Sequence, residues 1–152
     1  MYVQTHLILG LVFASILLVI FPQIGLIGFL LIVFSTVLID VDHYIYYVYK
    51  KKDWNLMNAH RWFIKNGESF CSLPRKERSN FYGCLCFLHG FEILLVLLLF
   101  TTISKYFLFI FAGFMFHLAL DIISQRRYLD RVDKVSLVYD FFKFKKLKSI
   151  CK

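Results

Sequence analysis

Residues 24–43, IGLIGFLLIVFSTVLIDVDH, decide the fold. From Ile24 to Ile39 no side chain is ionisable. A helix rising 1.5 Å per residue covers most of the ~30 Å of bilayer hydrocarbon with such a run. Asp40, Asp42 and His43 then arrive within four positions. Ionisable groups at that depth are costly unless cations, hydrogen-bond donors or water meet them, so they mark a working site. The stretch reads as a transmembrane helix over about 24–40 whose end carries chemistry.

Three further apolar runs accompany it, over about 5–21, 84–102 and 106–123. Pro22-Gln23 separates the first from the second, and Ser104-Lys105 separates the last two. The first run has no basic segment before it and no small-x-small site after it, so it reads as a helix rather than a cleaved signal peptide. Composition agrees: 59% of the 152 residues are hydrophobic, and the mean hydropathy is +0.65. A soluble domain is nearer half apolar. Eighteen phenylalanines and nine tyrosines suit a lipid-facing surface with interfacial belts. The predicted fold is an all-α membrane protein, one domain over 1–152. It has four transmembrane helices, a loop at 44–82 and a basic tail at 125–152. Within the loop, Trp54–Phe63 is expected to form a short interfacial helix, and Asn66-Gly67 and Leu73-Pro74 are turn signals. In the tail, Val135–Leu147 reads either as an amphipathic helix on anionic lipid or as a solvated topology signal.

The formal charge is +8. No zinc finger, recognition helix or aromatic RNA motif accompanies it, which argues against nucleic acid as a partner. The basic residues instead sort by topology. Eight lie in 44–82, nine follow residue 124, and Lys105 alone occupies the other side. The positive-inside rule then puts both termini and the long loop in the cytoplasm, with membrane lipid as the partner. The four cysteines, Cys71, Cys84, Cys86 and Cys151, fall on that side and are expected as free thiols. Cys84 and Cys86 are two apart, unlike the CxxC of zinc and redox sites, and a packing role is expected for them.

The same threading delivers four clusters of candidate metal ligands to one depth. His6 opens the first helix, and Asp40, Asp42 and His43 end the second. His89 and Glu92 begin the third. His117 and Asp121, one turn apart on one helical face, sit near the end of the fourth. Glu92 lies inside an apolar run and needs a partner, while Gly90 lets another element approach closely. Imidazole and carboxylate groups in this number suffice for divalent ions. Zinc is favoured, and manganese and iron are compatible with the same donors.

Thr5-His6, Asp40-Val41-Asp42-His43, the His89 helix and His117-x-x-x-Asp121 resemble the prokaryotic inner-membrane metal-dependent hydrolases. Order and spacing fit over about residues 5–145. More remotely, the pattern is similar to bacterial zinc-dependent phospholipase C. The better-known members carry a His-Arg-Gly-x-Thr-His-Ser element, where this chain has His89-Gly90-Phe91-Glu92 and only a distant echo in His60-Arg61. The resemblance implies a membrane phosphoesterase acting on a phospholipid or polyprenyl phosphate at the cytoplasmic face. His6, Asp42, His89, His117 and Asp121 are the expected ligands, with Asp40 a ligand or an orienter. Glu92 is expected as general base or additional ligand, and Arg61, Arg126 or Arg127 would engage phosphate. The alternative is a non-catalytic membrane protein in which a structural metal or polar site holds the helices and the chain binds lipid or a partner. Transport is disfavoured because the outer halves of the helices offer no polar path.

Overall fold

The computed structural model describes residues 3–129 and 132–150; Cys151, expected as a thiol, lies outside them. Three helical stretches are long and apolar enough to cross a membrane: Val3–Ile20, Pro22–Lys51 and Tyr106–Tyr128. The chain runs through α1 (Val3–Ile20), a 3-10 turn at Pro22–Ile24, α2 (Gly25–Leu38) and α3 (Val41–Lys51). It continues through α4 (Leu56–Ser72), α5 (Arg75–Arg78) and the two-residue strand β1 (Phe81–Tyr82). Last come α6 (Phe91–Phe100), α7 (Tyr106–Leu129), α8 (Leu137–Phe144) and β2 (Lys148–Ser149).

The α1–α2 hairpin turns where the sequence predicts. Pro22 opens the 3-10 turn, and Gly25, at φ 62°, supplies the left-handed residue that ends it. α2 lies between α1 and α7, with Ala14, Ile32 and Val33 at the centre of the packing. Close approach is bought with small residues: a Cβ at Gly10 would strike Thr36, and one at Gly113 would strike Ser35. The outward surface is apolar. Val19, Leu26, Leu99 and Ile103 are 69–80% exposed, as befits side chains that meet lipid.

The third apolar run differs from expectation. Helix forms only over Phe91–Phe100, about 15 Å of rise and half the hydrocarbon thickness. Residues 83–90 are irregular because their backbone is engaged elsewhere. Leu88 N–H donates to Asp42 Oδ2 at 2.8 Å, and Phe91 N–H donates to the Val135 carbonyl at 2.9 Å. Gly90, in extended conformation, caps α6.

The loop at 44–82 is mostly helical. α3 ends at Lys52, whose φ of 56° is left-handed. Asn55 caps α4 by accepting from Met57 and Asn58 N–H at 2.9 and 3.1 Å. α4 passes straight through Asn66-Gly67, where a turn was expected, and stops at Leu73 before Pro74. One glycine costs a helix only about 1 kcal/mol, whereas the residue before a proline is pushed to extended backbone. Arg78 then staples this region to α7, reaching the carbonyls of Leu73, Cys71 and Tyr128. The tail closes back on the loop: β1 and β2 pair in parallel, and Phe144 of α8 stacks on Tyr82 at 4.7 Å. Both Asp140 and Phe144 of α8 are buried, so part of this helix faces protein rather than lipid.

Candidate metal centre

The centre begins with a break in helix geometry. At Ile39–Asp40 the hydrogen bonds shorten from four residues to three: Asp40 N–H donates to the Val37 carbonyl, and His43 N–H to that of Asp40. The carbonyl of Thr36, which Asp40 N–H would otherwise take, is instead bonded to His117 Nδ1 at 2.7 Å. A carbonyl only accepts, so Nδ1 carries the proton, and in the neutral ring Nε2 presents a lone pair. His89 is fixed in the same way. Its Nδ1 lies 3.0 Å from Asp42 Oδ2, so in the neutral ring its Nε2 also presents a lone pair.

These two Nε2 atoms face each other at 3.2 Å. Asp40 Oδ1 is 3.5 Å from His89 Nε2 and 3.7 Å from His117 Nε2. Asp121 Oδ2 is 3.7 Å from the first and 3.8 Å from the second. Two lone pairs and two carboxylate oxygens at this separation repel unless a positive charge lies among them. The spacing fits one: donors ~2.0–2.2 Å from a tetrahedral zinc lie about 3.3–3.6 Å from each other. The backing of each imidazole by a carboxylate or carbonyl is the arrangement that orients histidine ligands.

His6 joins from α1. Its ring stacks on His117 at 3.8 Å, and its Nε2 is 3.3 Å from Asp121 Oδ1. His6 Nδ1 and Asp40 Oδ2 are buried without a hydrogen-bond partner. Orphaned buried acceptors call for an explanation, and a cation supplies one. His6, Asp40 and His117 bring ligand atoms within 4.8 Å of one another, as do His89, His117 and Asp121.

Asp42, expected among the ligands, stands behind the imidazoles. It is wholly buried and accepts from His43 Nδ1 at 2.9 Å, His89 Nδ1 and Leu88 N–H. His43 stands at the edge of the centre, with its Nδ1 3.5 Å from Asp40 Oδ1 and its Nε2 accepting from Lys134 Nζ at 2.8 Å. Glu92 has other company. Its oxygens accept from Ser136 Oγ at 2.6 Å, Leu137 N–H at 3.0 Å and Val138 N–H at 3.3 Å. The partner that a glutamate in an apolar run requires is thus the amino end of α8, where a carboxylate is favoured. Glu92 is not among the residues brought together here. Arg61, Arg126 and Arg127 are exposed.

No protein-family model, curated protein or solved structure matches the chain. The centre is therefore read from its own atoms.

Three residues join it that spacing did not single out. Cys86 Sγ lies 3.5 Å from His43 Nε2 and 3.1 Å from Cys84 Sγ. A third group comprising Asp42, His43, Cys86 and His89 also has ligand atoms within 4.8 Å of one another. Lys134, at φ 61°, holds a backbone conformation rare for a side-chain-bearing residue, and it delivers its ammonium to this group. Burial works against that charge, but Cys86, Cys84, Asp121 and Asp42 outweigh it and hold the amine well above its ordinary range. The sequence signal was available for the thiols: on extended chain, residues two apart point the same way. For Lys134 there was none, since a basic residue in a basic tail looks like a topology signal.

Proposed function

We propose that this chain is a membrane-embedded metal-dependent hydrolase, a phosphoesterase acting on a lipid or polyprenyl phosphate at the cytoplasmic face of the inner membrane. The observation that carries the reading is that His89 Nε2 and His117 Nε2, 3.2 Å apart, each have Asp40 Oδ1 and Asp121 Oδ2 at 3.5–3.8 Å, beside apolar helices. In this reading those four residues hold the ion, and His6 Nδ1 offers a further nitrogen. Zinc comes first, with manganese and iron accepted by the same donors. Asp42 orients His89. Bound there, a divalent ion acidifies water and neutralises phosphoryl charge.

The chain's own groups do the rest. Asp40 and His43, with side chains 14% and 21% exposed, form the more open edge of the centre. Asp40 Oδ2, which has no partner, is the acceptor for a proton from incoming water. Lys134 supplies a donor for a phosphate oxygen. The apolar helices would hold the acyl or prenyl chain while the headgroup meets this edge. The reading takes α6 with its flanking residues as a fourth crossing, so that both chain ends share the cytoplasmic side with the basic loop.

A second reading has its own observation. His6, His89 and His117 are only 0–1% exposed, and four protein ligands closing around an ion are the mark of structural sites. The centre would then tie the helices together, and the chain would bind lipid or a partner without turnover. Detergent-purified protein given zinc or manganese and a panel of labelled phospholipids and polyprenyl phosphates separates the two. Metal-dependent phosphate release, abolished by chelator, is expected. Stoichiometric metal with no turnover across the panel favours the structural reading.

A further inference from the structure

The thiol pair beside the centre has no part in the reading above. Cys84 and Cys86 are both buried, on a stretch without regular secondary structure. Their sulfurs are 3.1 Å apart. A disulfide needs ~2.05 Å, so closure asks for a movement of about 1 Å. Cys86 Sγ is also 3.5 Å from His43 Nε2, which accepts from the Lys134 ammonium. A thiolate-type metal site would need that imidazole nitrogen, and an ammonium 2.8 Å away already supplies its positive charge. The same ammonium, bonded to the imidazole that touches Cys86 Sγ, sets a positive charge near the pair, the setting in which a thiol reacts with an oxidant.

We propose that Cys84 and Cys86 form a redox-active dithiol, closed to an intramolecular disulfide by hydrogen peroxide and promoted by Lys134 and His43. One sulfur attacks a peroxide oxygen as the O–O bond breaks, and hydroxide leaves to become water. The resulting sulfenic acid is attacked by the second sulfur. The S–S bond forms, the S–O bond breaks, and a second water departs with the remaining proton. The two sulfurs together lose two electrons, and the peroxide gains them. The pair lies beside the hydrogen-bonded line from Lys134 through His43 and Asp42 to His89. Its oxidation state is thus read next to the candidate centre, but its chemistry does not depend on a metal being bound there.

The test uses the full chain in detergent, reduced, freed of reductant and given one equivalent of hydrogen peroxide. Free thiols are then alkylated and the peptides mapped by mass spectrometry. Cys71, which is exposed, serves as the internal reference. A Cys84–Cys86 disulfide should form about tenfold faster than Cys71 is modified. Lys134→Met should remove most of that advantage, while Lys134→Arg, which keeps the charge and guards against a folding artefact, should retain it. Cys71 reacting first, or Cys84 and Cys86 recovered alkylated, would overturn the proposal. So would equal rates in wild type and Lys134→Met, or bound zinc that is lost on Cys86→Ser.

Discussion

Alanine at His117 and Asp121 together is expected to abolish stoichiometric metal binding, weakening zinc affinity by more than about a thousandfold. The size follows from what is removed. His117 Nε2 lies 3.2 Å from His89 Nε2, and Asp121 Oδ2 lies 3.7–3.8 Å from both nitrogens; removing even a supporting partner behind a metal ligand costs about 10–100-fold. The variant also deletes the donor to the Thr36 carbonyl, so folding must be read separately. A melting curve with and without chelator does this. An ion that binds only the folded chain raises its melting temperature by mass action. Chelator should lower the wild-type transition and leave that of the double variant where it was. Asp121→Asn, which keeps the side-chain shape, should behave as the double variant does toward metal.

Asp42 and Asp40 should separate in the opposite sense to a reading by spacing alone. Asp42→Ala leaves Leu88 N–H and the Nδ1–H groups of His43 and His89 without their acceptor inside the protein. Uncompensated buried groups of this kind cost about 3–5 kcal/mol, and the stability loss should appear even in metal-free protein. Zinc affinity should fall about 10–100-fold, because His89 loses the carboxylate that orients it. Asp40→Ala should do the reverse. It removes an oxygen that faces both Nε2 atoms, so metal binding should suffer more than with Asp42→Ala. Metal-free stability should change little or rise, since one of several crowded carboxylates is gone. Paired melting and zinc-titration curves for the two variants check the ordering.

Hydropathy located α1, α2 and α7 within a few residues because an apolar run of bilayer length has few alternatives. It overestimated α6. Residues 84–90 are as apolar as a span requires, but Leu88 N–H answers to Asp42 and Phe91 N–H, just beyond, to Val135, partners that no local pattern reveals. The sequence placed His6, Asp40, His89, His117 and Asp121 at one depth, but not facing one another, because the order of helices around a bundle is not encoded in spacing. Their roles were not legible either. Helical spacing says which face a residue shares, and the break at Ile39–Asp40 rotates that face. It turns Asp40 toward the imidazoles and puts Asp42 behind them. Glu92 needed a partner, and the sequence suggested a metal; the amino end of α8 lies 45 residues away along the chain from it, at Leu137. Lys134 was counted as a topology charge, and only the folded chain brings it against His43.

Zinc-edge X-ray absorption of the detergent-purified, reduced protein bears most directly on the central claim. The account predicts about one zinc per chain, with a first shell of nitrogen and oxygen near 2.0–2.2 Å and no sulfur. Protein that binds no metal, or a zinc with a sulfur neighbour near 2.3 Å, would contradict it.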